Sequence, residues 1–95
     1  MTMGNLRLEP KSKKIYYDGK DLHITYTEYS IFEFLLKHRG ETFSIDKIYE
    51  NVWDEMYCNE SANTVMVHIR NLRRKLEKTG QEYLFNAWGK GYYVD

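Results

Sequence analysis

The chain has little of what staples, links or spans. Of its 95 residues one is cysteine, Cys58, so no disulfide can close within the chain and a reducing cytosol is the setting expected for it. One proline and six glycines form no linker or low-complexity tract, and no repeat appears, so the sequence reads as one domain over residues 1–95. Residues 1–4 are set apart as a linker or an added remnant. No apolar run approaches the roughly 20 residues that a membrane span needs, and the opening MTMGNLRLEPK lacks the core of a secretion signal. A cytoplasmic protein with no membrane partner is expected. A charge excess is missing too: 14 basic side chains face 14 acidic ones. A nucleic-acid binder usually carries a basic surplus, so the total by itself argues against one. What the chain does have, 42% hydrophobic and 16% aromatic residues, excludes intrinsic disorder.

The zero hides a segregation. Residues 1–40 carry +2, residues 41–60 carry −5, and residues 61–95 carry +3. The acidic stretch is Glu41, Asp46, Glu50, Asp54, Glu55 and Glu60 against Lys47 alone. In the last segment Arg70, Arg73, Arg74 and Lys75 crowd into six positions with no acid among them. Such a run is most often a solvated helix face, so its meaning depends on the geometry it sits in.

Periodicity supplies that geometry. Leu6 and Leu8 alternate with polar neighbours as a short strand closed by Pro10. Residues 14–17 and 20–24 flank Asp18-Gly19, a pair suited to the positive φ angles of a tight hairpin. Thr25 with Glu28 three residues later forms a capping box. The helix it starts carries Tyr29, Ile31, Phe32, Leu35 and Leu36 and stops at Gly40. Ser44 caps a second helix, whose Ile45, Ile48, Tyr49, Val52 and Trp53 follow an amphipathic spacing. After a polar, acidic loop at residues 54–60, Ser61 is expected to cap a third helix running to about Lys78. Beyond Gly80 the period becomes two: a strand at 83–87, a turn at Gly89-Lys90-Gly91 and a return strand at 92–94. The fold class is therefore α+β: a small N-terminal antiparallel sheet, three helices with the second and third arranged as a helix-turn-helix, and a C-terminal β-hairpin.

At 100° per residue, Val65, Ile69, Leu72 and Leu76 share the core-facing stripe of the third helix. Opposite lie Asn63, Val67, Arg70 and Arg74, with Thr64 and Asn71 beside them. Arg73 and Met66 flank one side, and His68 and Lys75 the other. Arginine forks and asparagine amides match guanine and adenine edges, and an outward valine suits a thymine methyl. The terminal hairpin presents Lys90 at its turn and Trp88 just before it, either as a wing against nucleic acid or as an ordinary turn with Trp88 lidding the core. Five cations, Arg70, Arg73, Arg74, Lys75 and Lys90, would give a log–log salt slope near −4 to −5.

In three blocks the sequence resembles the OmpR/PhoB-type winged-helix effector domains of two-component response regulators. These are Ile24-Thr25 with Glu28 and Leu35, the stretch from Thr64 through Leu76, and Gly89-Lys90-Gly91-Tyr92. The resemblance implies a cytoplasmic regulator of transcription that is not an enzyme and needs no cofactor. It implies sequence-specific binding to promoter DNA, with the third helix in the major groove and the wing on the adjacent backbone or minor groove. Its partners would be a second protomer in tandem, RNA polymerase, and a receiver domain in a full-length chain, the piece being read as an excised domain in preference to a stand-alone protein. Carried over by position, the candidate DNA contacts are Asn63, Thr64, Val67, His68, Arg70, Asn71, Arg73, Arg74, Trp88 and Lys90. Asp54, Glu55 and Tyr57 are the candidate polymerase contacts.

Rival readings fare less well. His23, His38 and His68 show no metal-ligand spacing, and no nucleophile–base pair stands out, so neither a metal site nor a catalytic residue is expected. Tyr16, Tyr17, Tyr92 and Tyr93 on strands could instead stack single-stranded bases.

Overall fold

The computed structural model describes residues 1–53 and 59–95; of residues 59–61 only the backbone is described. The order is β1 (Thr2–Met3), β2 (Leu6–Glu9), β3 (Lys14–Tyr17), β4 (Lys20–Asp21), α1 (Tyr26–Lys37), α2 (Ile45–Trp53), α3 (Asn59–Glu77), β5 (Leu84–Ala87) and β6 (Gly91–Val94). The first four strands form one antiparallel sheet in sequence order, and β5 and β6 form a separate hairpin. This is a winged helix: three helices between a small N-terminal sheet and a C-terminal wing.

Asp18 and Gly19 both take positive φ, 49° and 80°, the geometry of a two-residue turn that matches the twist of the strands it joins. The capping box is complete, with the Glu28 N–H donating to Thr25 Oγ1 at 3.1 Å and the Thr25 N–H to Glu28 Oε1 at 2.9 Å. Helix α1 buries Tyr29, Ile31, Phe32, Leu35 and Leu36 because it lies centrally, against α2, α3, β3 and β6. Leu6, Leu8 and Ile15 close the core from the sheet, Val65, Ile69, Leu72 and Leu76 from α3, and Val94 from the wing.

Four local expectations change. Residues 1–4 include β1, which pairs with β2 through Thr2–Arg7 and Met3–Leu6 and is too short to show alternation in the sequence. Strand β4 ends at Asp21 rather than residue 24, because Asp21 Oδ1 accepts from the His23 N–H at 2.7 Å and His23 turns to φ 58°. Helix α3 is already helical at Asn59, so Ser61 lies inside its first turn instead of capping it; no glycine or proline interrupts those residues. The wing turn sits one residue earlier than expected. The Lys90 N–H donates to the Ala87 carbonyl at 2.8 Å, so Trp88 and Gly89 form the tip and Gly91 opens β6.

The wing is tied to the body between α1 and α2. Phe43 and Tyr92 exchange two backbone hydrogen bonds, each 2.9 Å, and the Gly40 N–H donates to the Val94 carbonyl at 2.8 Å. The wing is thus held as an extra layer beside the N-terminus of α2.

Candidate nucleic-acid interface

Helix α3 carries its polar residues on two ridges, and the structure treats them differently. The ridge of Asn63, Val67, Arg70 and Arg74, joined by Met66 and Arg73, lines an open groove of about 580 Å³ whose far wall is Tyr92 of the wing. Glu77 closes its end as the one acid there. Among the described residues Arg70, Arg73 and Arg74 have no ion-pair or hydrogen-bond partner, so three guanidinium groups face the groove uncompensated. Unpaired planar forks in one concavity are suited to phosphates and guanine edges.

The ridge of Thr64, His68, Asn71 and Lys75 leans toward α2 and α1. The half-buried His68 ring lies 5.9 Å from the Trp53 ring, which in turn stacks on Tyr49 at 5.1 Å. Thr64 is exposed and Asn71 half-buried, and neither lines the groove. Lys75 corrects the expectation most. Its Nζ donates to Glu28 Oε1 at 2.7 Å and to the His23 carbonyl at 3.0 Å. It is a structural cation, committed to the capping box of α1 and unavailable to a phosphate.

On the wing, Trp88 is 92% exposed, so it does not lid the core. Lys90 is exposed beside it and faces a second, shallower groove with Ile45, Asp46, Asn86 and Tyr92. Asp46 sits at the N-terminus of α2, where the Ser44 hydroxyl donates to its carboxylate. That hydrogen bond, with backbone N–H groups, holds its pKa below the usual aspartate value. Because the folded value is the lower one, this small contribution to stability is present above the ordinary pKa and lost as the pH falls through the depressed one.

Met66, Ile69, Glu77 and Tyr92 line the groove without being among the candidate DNA contacts. Met66 was placed on a flank, although it adjoins Val67. Tyr92, named above only for stacking single-stranded bases, alternates with buried Val94 and so lies on the inward side, toward α3. The four strand tyrosines do not make a stacking platform. Tyr17 and Tyr92 pack on the core, Arg7 covers Tyr16 at 4.8 Å, and Tyr93 stacks on Phe85 at 5.4 Å. Asp54, Glu55 and Tyr57 lie outside the described residues, as does Cys58. Among the described residues no helix is long and apolar enough to cross a membrane, and no group of three His, Cys, Asp or Glu residues could hold a metal.

Comparison with known proteins gives concordant results. The family model described as transcriptional regulatory protein, C terminal, matches residues 19–94. The uncharacterized transcriptional regulatory protein YrkP of Bacillus subtilis (strain 168) is 38% identical over 91 residues, covering 94% of this chain and 39% of that protein. The chain spans about two fifths of the length of the curated relatives it matches. Among solved structures, the DNA-binding domain of CpxR from E. coli superposes with a TM-score of 0.82 at 28% identity, covering 99% of this chain and 93% of that one. The response regulator AdeR DNA-binding domain in complex with an intercistronic region superposes with a TM-score of 0.83 at 27% identity, covering 100% and 98%.

Proposed function

Since this chain belongs to the transcriptional regulatory protein C-terminal family, the OmpR/PhoB-type effector domains, we propose that its 95 residues act as one domain that binds promoter DNA by sequence. Helix α3 lies in the major groove, and the wing follows the adjacent backbone or minor groove. One observation carries this reading: the outward ridge of α3 and the wing's Tyr92 share a groove into which three arginines open, none of them ion-paired among the described residues. A duplex is the polyanion that such a face fits, with phosphates for the guanidinium groups and base edges for Asn63 and Val67. Thr64, His68 and Asn71 contact the duplex along the edge nearer α2, and Trp88 with Lys90 contacts it from the wing tip.

With Lys75 committed inside the fold, four cations remain for phosphates: Arg70, Arg73, Arg74 and Lys90. Log affinity is expected to fall with log salt at a slope of about −3.6 per protomer, near 0.9 for each phosphate neutralised. A flat response in a titration from low to moderate salt would dismiss the mechanism.

The remaining partners follow from the same reading. Two protomers bind in tandem, a receiver domain belongs to the longer chain, the compartment is the cytoplasm, and the chain catalyses nothing. The −5 segment, residues 41–60, which precedes the arginines in sequence, docks on a basic surface of RNA polymerase through Asp54, Glu55 and Tyr57. Reversing the charge of Asp54 and Glu55 together should leave selective DNA binding in place, since neither is among the candidate DNA contacts. Transcription in a reconstituted assay should fall. A loss of DNA affinity instead would move these residues to the DNA face.

A further inference from the structure

The groove of α3 contains an apolar step as well as cations. Met66 is 46% exposed and Val67 42% exposed, and they are the one adjacent pair among the exposed large hydrophobic residues described. Single exposed apolar side chains are ordinary. Two in succession, lining the same groove as Arg70, Arg73 and Arg74, ask for an occupant that is both polyanionic and locally apolar. The arginines exclude the same face of a second copy, which would bring like charges together.

We infer that Met66 and Val67 together read the C5-methyl group of thymine, making the operator thymine-dependent at the step beneath the first half of α3. The inference rests on the DNA reading above and specifies its substrate. In the major groove thymine is the base that presents a methyl group among hydrogen-bonding atoms. The placement along the helix fits. Met66 and Val67 lie one turn before Arg70 and two before Arg74, in the half of a recognition helix that meets base edges, while the arginines behind them meet the backbone. Asn63, one turn earlier and in the same groove, can address a neighbouring adenine. Methionine adds a flexible, polarizable arm that follows the methyl where valine alone cannot reach.

The test begins with duplexes selected by the chain from a random pool. Each thymine in the selected site is then replaced by deoxyuridine, which removes the methyl and keeps every hydrogen-bonding atom. At one or two positions per half-site the chain should bind the deoxyuridine duplex about fourfold more weakly, the effect of burying one methyl group. Met66→Ala with Val67→Ala should bind both duplexes equally, and Met66→Leu with Val67→Ile should restore the preference. Both pairs are exposed enough to leave folding intact. Equal binding of both duplexes by the native chain, with scrambled duplexes still rejected, overturns the inference and leaves the DNA reading standing. So does a fourfold preference that survives the alanine pair, or a selected site without thymine. If no duplex is enriched, the DNA reading falls and takes this inference with it.

Discussion

Replacing Lys75 by methionine is expected to lower the unfolding free energy by about 3 kcal/mol and to leave the salt dependence of DNA binding unchanged. The Glu28 carboxylate is 2% exposed and accepts from Lys75 Nζ at 2.7 Å and from the Thr25 N–H at 2.9 Å. Removing the lysine leaves a buried carboxylate with one backbone donor, and the His23 carbonyl loses its partner as well. Breaking a buried pair from one side costs about 3–5 kcal/mol. The lower end applies here, because the Lys75 side chain keeps some contact with water. Glu28→Gln combined with Lys75→Met should recover at least half of the loss, since a neutral amide can still accept from Thr25 and strands no charge. Arg70→Ala should behave in the opposite way. It is exposed and has no ion-pair partner among the described residues, so stability should stay within about 0.5 kcal/mol while the salt slope becomes shallower by about one unit. Urea unfolding curves and salt titrations of the two single variants separate these roles. A Lys75→Met protein that unfolds like the native one but loses a unit of slope would return Lys75 to the DNA face.

That contrast marks how far the sequence could be read. Arg70, Arg73, Arg74 and Lys75 form one cationic run, and a helical projection sorts them by angle alone. It put Val65, Ile69, Leu72 and Leu76 on the core stripe, where all four are buried. It could not tell Lys75 from its neighbours, because the partner that distinguishes it lies 47 residues away on another helix. Local chemistry was legible at most places where the deciding partner is near in sequence, the Asp21–His23 turn that ends β4 being the exception. Thr25 with Glu28 and Asp18 with Gly19 are legible cases, each settled within four residues. It failed where tertiary pairing decides. Thr2–Met3 becomes a strand only because β2 lies beside it. The wing turn falls at Trp88-Gly89 because the Gly91 position is already claimed by the contact with Phe43. The arginine ridge and its cation character were therefore visible at once. The wall that turns the ridge into a groove, Tyr92, required the wing's docking geometry.

Gly91→Ala is expected to cost about 2–4 kcal/mol, the sum of backbone strain and overpacking, and to loosen the wing before the helices. Gly91 sits at φ 143°, a conformation that side chains rarely adopt. A Cβ built there would lie 2.0 Å from the Phe43 carbonyl oxygen, 2.5 Å from its carbon and 2.9 Å from the Ser44 Cα. These are backbone atoms of the segment leading into α2, so no side chain can turn aside to make room. The least costly escape is to separate Phe43 from Tyr92, breaking the two 2.9 Å hydrogen bonds that dock the wing. Tyr92 then leaves the groove of α3, and Lys90 loses its place beside the N-terminus of α2. For a domain of this size each kcal/mol lowers the melting temperature by about 4–8 °C, so the variant should melt at least about 8 °C below the native protein. Gly89→Ala is the control: its φ is 76° and no atom lies within 4 Å of an added Cβ. Strain alone should cost it about 1 kcal/mol, with the Phe43–Tyr92 pairing intact. Thermal melts give the stabilities, and hydrogen exchange at the Phe43 and Tyr92 amides shows which contact opens. Equal melting of the two variants would mean that the wing is held by its own hairpin rather than by the approach of Gly91 to Phe43. Faster exchange at those two amides in Gly91→Ala, with the α1 and α3 amides still protected, would locate the loss at the joint that sets the wing against α3.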